Sequence, residues 1–330
     1  MKYNSITEIF KAFEQLNVLI IGDVMVDSYI YGFTNRISPE APVPIVQVKS
    51  REKRLGGAAN VALNIKALGA TPTLCSIIGD DSEGIEFMKL LHDQNITSKG
   101  IIKSTNRITT VKHRVLAGSQ QMLRIDEESE LDLDDIEEKS LIAHITNLLA
   151  ETDLVIFEDY DKGTLNKNVI TATINLANEM NIPTVVDPKK KNFNHYHNTT
   201  LFKPNLKELK EGLKIEINPN IQSSLNEAVD TLKKEKNHKS VMITLSEKGI
   251  YLNGETISQS IPAHPRSIAD VSGAGDTVVS IAGLCVALEL NDQITAELSN
   301  LGGGLVCESL GVVPINKEQL IKEASALVIH

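Results

Sequence analysis

The run Asp270-Val271-Ser272-Gly273-Ala274-Gly275-Asp276-Thr277 leads directly into an apolar stretch that ends at Leu290. Small residues at 273–275 let the main chain turn tightly and present free N–H groups at a helix start, which makes an anion site. An acidic residue in that turn would repel a resting phosphate. It can instead take the proton of a hydroxyl that attacks a terminal phosphoryl group, while the amides of 273–276 hold the transferred charge. Base plus anion hole is chemistry for phosphoryl transfer to an alcohol. Asp276 also suits the positive end of a helix dipole, a contribution of about 0.3–1 kcal/mol, and the residue types alone leave both roles open. A second glycine segment, Leu55-Gly56-Gly57-Ala58-Ala59-Asn60, permits close backbone approach by a ligand at Gly57 and offers the Asn60 amide to sugar hydroxyls. In VLIIGDVMVD, Asp23 closes a strand and Asp27 follows; carboxylates so placed clamp vicinal diols or cap helices. There is no G-x-x-x-x-G-K-[ST], and GAGDTV lacks the third glycine of a dinucleotide fingerprint, so neither a P-loop kinase nor a dehydrogenase is supported.

These residues need a scaffold that gathers them. Six short runs rich in Val, Ile and Leu (18–23, 73–79, 154–159, 184–187, 201–205 and 241–246) predict strands. The segments between them, 57–68, 82–94, 134–150, 166–180 and 221–236, have the 3.6-residue period of helices. That alternation predicts a three-layer α/β/α fold around a mainly parallel sheet. Residues 43–50 and 109–126 instead alternate apolar with polar or basic residues and carry a Gly-Ser turn at 118–119. They predict a small antiparallel β lid, with strands from about 28–50 and 105–126, lying over the carboxyl ends of the parallel strands, where such sheets bind ligands.

Composition narrows the class. The 330 residues carry 33 Lys plus Arg against 43 Asp plus Glu, a net charge of −10, which argues against a nucleic-acid surface. Cys75, Cys285 and Cys307 are odd in number, widely spaced and set among apolar residues, so they read as reduced core residues of a cytoplasmic protein. The apolar stretch after Asp276 is about a dozen residues, short of the roughly 18 needed to span a bilayer, and the first seventeen residues lack a secretory pattern.

In order, GGAAN (56–60), PNLKE (204–208), TLSEKG (244–249) and DVSGAGD (270–276) resemble the motifs of the ribokinase-like PfkB carbohydrate kinases over essentially the whole chain. NRISPEAPVPIV (35–46), QQMLRID (120–126), EDYDKG (158–163) and VVDPKKKNF (185–193) bring it closer to the kinase half of the bifunctional heptose-phosphate kinase/ADP-heptose synthase proteins. The resemblance implies ATP-dependent phosphorylation of the anomeric hydroxyl of D-glycero-D-manno-heptose 7-phosphate, on the route to lipopolysaccharide core heptose. It makes Asp276 the base, with Gly273, Ala274 and Gly275 as the anion hole, and assigns Asp23, Asp27, Gly57 and Asn60 to the sugar. Asn205 and Glu208 are expected to organise Mg²⁺ and the ATP phosphates through water, because Mg²⁺ dehydrates reluctantly. Thr244, Ser246 and Gly249 are expected along the nucleotide, and Asp270 and Ser272 beside a monovalent cation, K⁺. A sugar already bearing phosphate requires cations on the acceptor side, for which the candidates are Arg36, Lys112, Arg114, Arg124 and Lys162.

Two departures stand out: Ser246 occupies a position where the wider family often has glycine, and 300–311 is unusually glycine-rich. No H-x-G-H signature of a nucleotidylyltransferase occurs among the eight histidines, so the expectation is a single kinase domain over 1–330, with small-molecule ligands, no membrane or nucleic-acid partner, and a homodimer by analogy. Competing readings are a PfkB kinase for another sugar, sugar phosphate or nucleoside, and a sugar- or nucleotide-binding protein without turnover.

Overall fold

The computed structural model describes residues 3–118 and 120–327. From the N-terminus, helix α1 (Ile6–Phe13) leads into β1 (Asn17–Gly22), and two long strands, β2 (Val24–Ile37) and β3 (Pro44–Gly57), run out from the core and back. Next come α2 (Ala58–Ala67), β4 (Thr71–Gly79), α3 (Ser82–Asp93), β5 (Thr97–Ser104), the hairpin of β6 (Val111–Ala117) and β7 (Gln120–Glu127), and α4 (Asp135–Leu149). The chain continues through β8 (Leu154–Glu158), α5 (Lys167–Glu179), β9 (Thr184–Asp187), β10 (Leu201–Phe202), α6 (Leu206–Leu213), α7 (Gln222–Lys236) and β11 (Ser240–Thr244). It ends with β12 (Ile250–Asn253), β13 (Ser258–Ile261), α8 (Ala274–Ala287), α9 (Asp292–Val306) and α10 (Lys317–Leu327).

Nine strands form one sheet in the order β13-β12-β11-β10-β9-β8-β1-β4-β5. Pairing is parallel from β5 to β11, and β12 and β13 extend it antiparallel. Alternate residues of β1 face opposite sides: Val18 and Ile20 join the apolar core with α1, α2, α8 and α9, whereas Leu19 and Ile21 join a second core with α4, α5 and α7. A strand buried on both faces reads as a continuous apolar run, which is why VLII is legible as β1. The three cysteines are free and buried within this packing, and burial pushes the Cys75 thiol up to about 12.

Several elements differ from the sequence reading. The 201–205 strand stops at Phe202, because Asn205 turns to cap α6, and β5 was not anticipated, since TSKGIIKS lacks a continuous apolar run. The lid strands β2 and β3 are 14 residues each, longer than the alternation at 43–50 indicated. In the four-stranded lid, β2–β3 and β6–β7 are antiparallel hairpins, joined along a parallel β2–β6 seam in the order β3-β2-β6-β7. Its anticipated turn begins at Gly118, whose φ of +62° suits glycine; residue 119 lies outside the described residues.

The glycine-rich 300–311 segment is explained by packing. A side chain on Gly302 would meet Ile281 Cδ1 at 2.1 Å, and one on Gly303 would meet Val278 Cγ2 at 2.6 Å, so these glycines let α9 lie directly on α8, the helix that follows the 270–276 turn.

Candidate active site

The carboxyl ends of β1, β8 and β9 and the starts of α2 and α8 converge at one edge of the sheet. Gly22 ends β1 against β8, where a Cβ would sit 1.9 Å from the Glu158 carbonyl oxygen, so only glycine lets Asp23 and β8 lie this close. Helices α2 and α8 both begin at a glycine with positive φ, Gly57 at +60° and Gly273 at +81°, and neither start carries a side-chain cap. Helices α1, α3, α4, α5, α6 and α9 do carry one. At α8, the N–H of Ala274 bonds Val271 at 3.3 Å, while those of Gly273, Gly275 and Asp276 have no acceptor among the described residues. Unspent amides at a dipole's positive end can hold an anion.

Asp276 sits in the first turn of α8, 5% exposed. Its Oδ2 accepts from Asn60 Nδ2 at 2.7 Å and its Oδ1 from the Tyr160 hydroxyl at 2.9 Å. Burial pushes this carboxyl above the usual aspartate value, against the two hydrogen bonds, which favour its charged form. The Tyr160 hydroxyl is driven well above its ordinary value by burial and by the charge of Asp276, so it remains a donor. An oriented, partly desolvated carboxylate beside free amides can take a proton from an attacking hydroxyl.

Two sugar candidates change role. Asn60 is fully buried and spends its amide on Asp276, so it orients that carboxylate rather than reaching into a cleft. Asp23 is equally buried, and its carboxylate accepts from the main-chain N–H groups of Tyr160 at 2.8 Å, Lys162 at 3.0 Å and Thr164 at 3.0 Å. It therefore fixes the loop that carries Tyr160. Asp27 lies at the root of β2, packed against Gly56, and pairs with Arg114. Gly57 passes close beneath, where a Cβ would approach the Asp23 carbonyl to 2.4 Å.

Strand register sets the lid chemistry. Asp27 is opposite Lys112, Tyr29 is opposite Arg114, Lys112 is opposite Asp126, and Arg114 is opposite Arg124. All of these side chains share the lid face that carries the buried Asp27. Lys162, from the core loop, joins them through Glu128 at 2.8 Å and Glu130 at 3.1 Å, and Lys112 lies 3.5 Å from the same Glu128. Arg124 grips Asp126 with two hydrogen bonds of 2.9 and 2.7 Å. Arg36 does not join this group: it is exposed near the tip of β2, beyond the register irregularity after Thr34, and has no ion pair among the described residues.

On the opposite flank, Asn205 and Glu208 form a capping box at the start of α6, and Glu208 also accepts from Lys189 Nζ at 2.7 Å. Both Glu208 oxygens thus already hold a donor, so a Mg²⁺ ion that left these bonds intact would contact the pair through water, as expected from its reluctance to dehydrate. Lys189 is the inward member of the 189–191 run, lying over the Tyr160 ring at 5.3 Å. Thr244 bridges to Asn205 at the end of β11. Ser246 has a φ of +55°, so it adopts the glycine-like conformation that the family motif carries there. Gly249, at φ +90°, fits only because a Cβ would strike the Ile261 carbonyl at 2.1 Å. Asp270 accepts from the Ser272 N–H and hydroxyl and from the Gly311 N–H; burial opposes its charge, but these donors hold it below the usual carboxylate range. It braces the turn before α8 through these three bonds. Among the described residues no group of three His, Cys, Asp or Glu is disposed to hold a metal.

Four residues were missed. Besides Tyr160, these are Glu158, Asp187 and Lys203. Lys203, 2% exposed, pairs with Asp187 at 2.8 Å, and a Cβ on Gly275 would stand 3.9 Å from its Nζ, so a buried cation adjoins the anion hole. Glu158 is wholly buried beside Asp187 in the β8–β9 register, with neither carboxylate oxygen bonded. Burial first, then the charges of Asp187 and Asp276, raise it well above the usual glutamate value.

This geometry has relatives. The pfkB family carbohydrate kinase signature matches residues 15–318. The bifunctional protein HldE of Syntrophotalea carbinolica is 36% identical over 97% of this chain and 65% of its own length. That of Wolinella succinogenes is 38% identical over 89% and 61%. The chain thus spans less than two thirds of the length of these curated relatives. Among solved structures, Escherichia coli phosphofructokinase-2 in complex with substrates and products superposes with a TM-score of 0.79 at 19% identity, over 95% of this chain and 99% of that one. Arabidopsis thaliana ribokinase complexed with ribose and ATP gives 0.69 at 16% identity, over 93% and 99%. No helix among the described residues is long and apolar enough to cross a membrane. With the Asp276 carboxylate, the free amides and the ribokinase-like fold in one place, the chain belongs to the pfkB family of carbohydrate kinases, phosphotransferases that act on a sugar hydroxyl.

Proposed function

We propose that the chain transfers the γ-phosphoryl group of ATP to the anomeric hydroxyl of a sugar that already carries a phosphate, D-glycero-D-manno-heptose 7-phosphate, giving the 1,7-bisphosphate. The observation that carries the acceptor class is the Arg114–Arg124 pair, two like charges directly opposite across the β6–β7 ladder on the site-facing side of the lid. Like charges so placed are destabilising in an empty hairpin. Here each is matched to a carboxylate, and with Lys112 and Lys162 they form a cationic rim around Asp27, suited to a phosphate held by guanidinium forks. The similarity to HldE proteins supports the same acceptor.

In this reading the acceptor hydroxyl approaches Asp276, which takes its proton as the oxygen attacks, while Asn60 and Tyr160 hold the carboxylate in place. The amides of Gly273, Gly275 and Asp276, and Lys203 beside them, face the phosphoryl group in transit. ATP lies along 201–208 and 244–249. Mg²⁺, through water on Asn205 and Glu208, would supply charge neutralisation between the phosphates. The proposal covers phosphoryl transfer alone, by one kinase unit in the cytoplasm. The outer lid face, with exposed Val48, Leu123 and Ile125, fits the expected homodimer.

An acceptor screen tests this: heptose 7-phosphate, the free heptose, hexoses, hexose phosphates and nucleosides, with the product position fixed by phosphorus NMR. The expected result is a 1,7-bisphosphate and a KM for heptose 7-phosphate at least tenfold below that of the free heptose. Arg124→Ala, whose partner Asp126 stays solvated, should raise the first KM about tenfold and leave the second within twofold. Equal use of the two heptoses, or a preference for a hexose or nucleoside, refutes the acceptor.

A further inference from the structure

The acidic residues on the lid face do not play equal parts. Asp27 is buried against Arg114, and Asp126 is gripped at both oxygens by Arg124. Glu128 differs. It lies just after β7, where the lid rejoins the core, and its carboxylate bridges Lys112 of the lid at 3.5 Å and Lys162 of the core loop at 2.8 Å. Each lysine side chain is 12% exposed, so the two ammonium groups form a recessed anion pocket made from both sides of the cleft. The occupant is a poor fit. Glu128 Oε2 is shut off from solvent with no hydrogen bond, reaching Lys112 only as a loose ion pair. A phosphate, with three outward oxygens and more charge than a carboxylate, fills such a pocket better.

We infer that Glu128 is an internal stand-in for the acceptor's phosphate: it occupies the Lys112–Lys162 pocket when the site is empty and is displaced when a phosphorylated sugar binds. The inference rests on the phosphorylated-acceptor reading above and adds to it a device that sets acceptor affinity. A sugar without phosphate leaves Glu128 seated, and the lid stays tied to Lys162 by the protein's own carboxylate. A phosphorylated sugar exchanges one anion for another, so it gains only the difference. Glu128 therefore lowers acceptor affinity while keeping both lysines neutralised and oriented in the empty site.

The test compares wild type with E128Q, which keeps shape and removes charge, using heptose 7-phosphate and free heptose as acceptors and inorganic phosphate as inhibitor. Loss of the internal competitor should lower the KM for heptose 7-phosphate and the Ki of phosphate about three- to tenfold, the scale of two partly exposed ion pairs. The KM for free heptose should stay within twofold. Glu130, largely exposed on the other side of Lys162, is the residue able to take over, so E128Q/E130Q is measured alongside and should show at least the E128Q effect. Unchanged or raised values for phosphate and for heptose 7-phosphate in both variants overturn the role of Glu128. A wild type indifferent to the acceptor's phosphate refutes the acceptor reading itself, a distinct result from a wild-type preference that E128Q leaves untouched.

Discussion

Asp276→Asn separates chemistry from folding, because the structure supplies a means of accommodating the amide. In the wild type, Asn60 Nδ2 donates to Asp276 Oδ2 at 2.7 Å and the Tyr160 hydroxyl donates to Oδ1 at 2.9 Å, while Asn60 Oδ1 is buried with no partner. An asparagine at 276 still accepts from Tyr160, but its NH₂ faces the NH₂ of Asn60. A half-turn of the Asn60 amide resolves the clash and gives the orphaned Oδ1 a donor. Both hydrogen bonds survive and a buried charge disappears, so the change in stability should stay below about 1 kcal/mol, about 2–4 °C or less in melting temperature. Chemistry has no such escape, since an amide takes up no proton. The expected fall in kcat is about 10²–10⁴-fold, about 2.7–5.4 kcal/mol of barrier. Coupled-assay ADP release and a thermal melt on one preparation read both quantities. A kcat within tenfold of wild type refutes Asp276 as the base, and a melting temperature lowered by more than about 5 °C refutes the Asn60 rotation.

Tyr160→Phe removes a donor to the charged form of Asp276; such a bond is worth about 1.5–3 kcal/mol, so the already raised aspartate rises further. A base works only when deprotonated, so the acidic limb of kcat/KM should move to higher pH by about one to two units, and an unmoved limb shows that the bond plays no part in the working enzyme. Glu158→Gln tests the buried acid cluster through stability. A carboxyl raised in the folded state stabilises the fold fully below its unfolded value, and that contribution is lost as pH rises through the folded value, with a slope of up to about 1.4 kcal/mol per pH unit. The variant lacks this loss, so its melting temperature relative to wild type should climb from pH 5 to pH 8; Asp159, raised to about 7, titrates alike in both proteins and cancels. A pH-independent difference would show that Glu158 is not held protonated.

Backbone requirements were legible in the sequence, whereas side-chain partnerships were not. GAGD and GGAAN announce helix starts without caps, and continuous apolar runs announce a sheet covered on both faces, since both depend on local residue types. Asn60 and Asp276 are 216 residues apart, and nothing in either segment says that one amide is spent orienting the other's carboxylate. Asp23 and Asp27 look alike in GDVMVD; only the loop after β8, with three N–H groups turned toward Asp23, separates an anchor from a pocket residue. Tyr160 lies inside the EDYDKG segment that carried part of the resemblance, so a signal was present, but not its target. Lys203 resembles any lysine until the fold closes over it. The charge alternation of the lid was readable, yet which lysines share a carboxylate depends on a register that composition does not encode.

The local charges also resolve an apparent conflict, since the proposed function asks a chain of net charge −10 to receive two anionic ligands. At the site, four cations are each held by a carboxylate: Lys203 by Asp187, Lys189 by Glu208, Arg114 by Asp27, and Lys162 by Glu128. These pairs sort by burial. Breaking Lys203–Asp187 would strand a charge in a dry interior, at a cost of several kcal/mol, so that pair stays closed and acts as a fixed dipole beside the anion hole. Lys162–Glu128 and Lys189–Glu208 are more exposed than that pair, and in the proposed reading an incoming phosphate would compete with the carboxylate for the lysine. In the proposed reading, fixed charge therefore sits beside the transferring phosphoryl group, and exchangeable charge on the lid and nucleotide flanks.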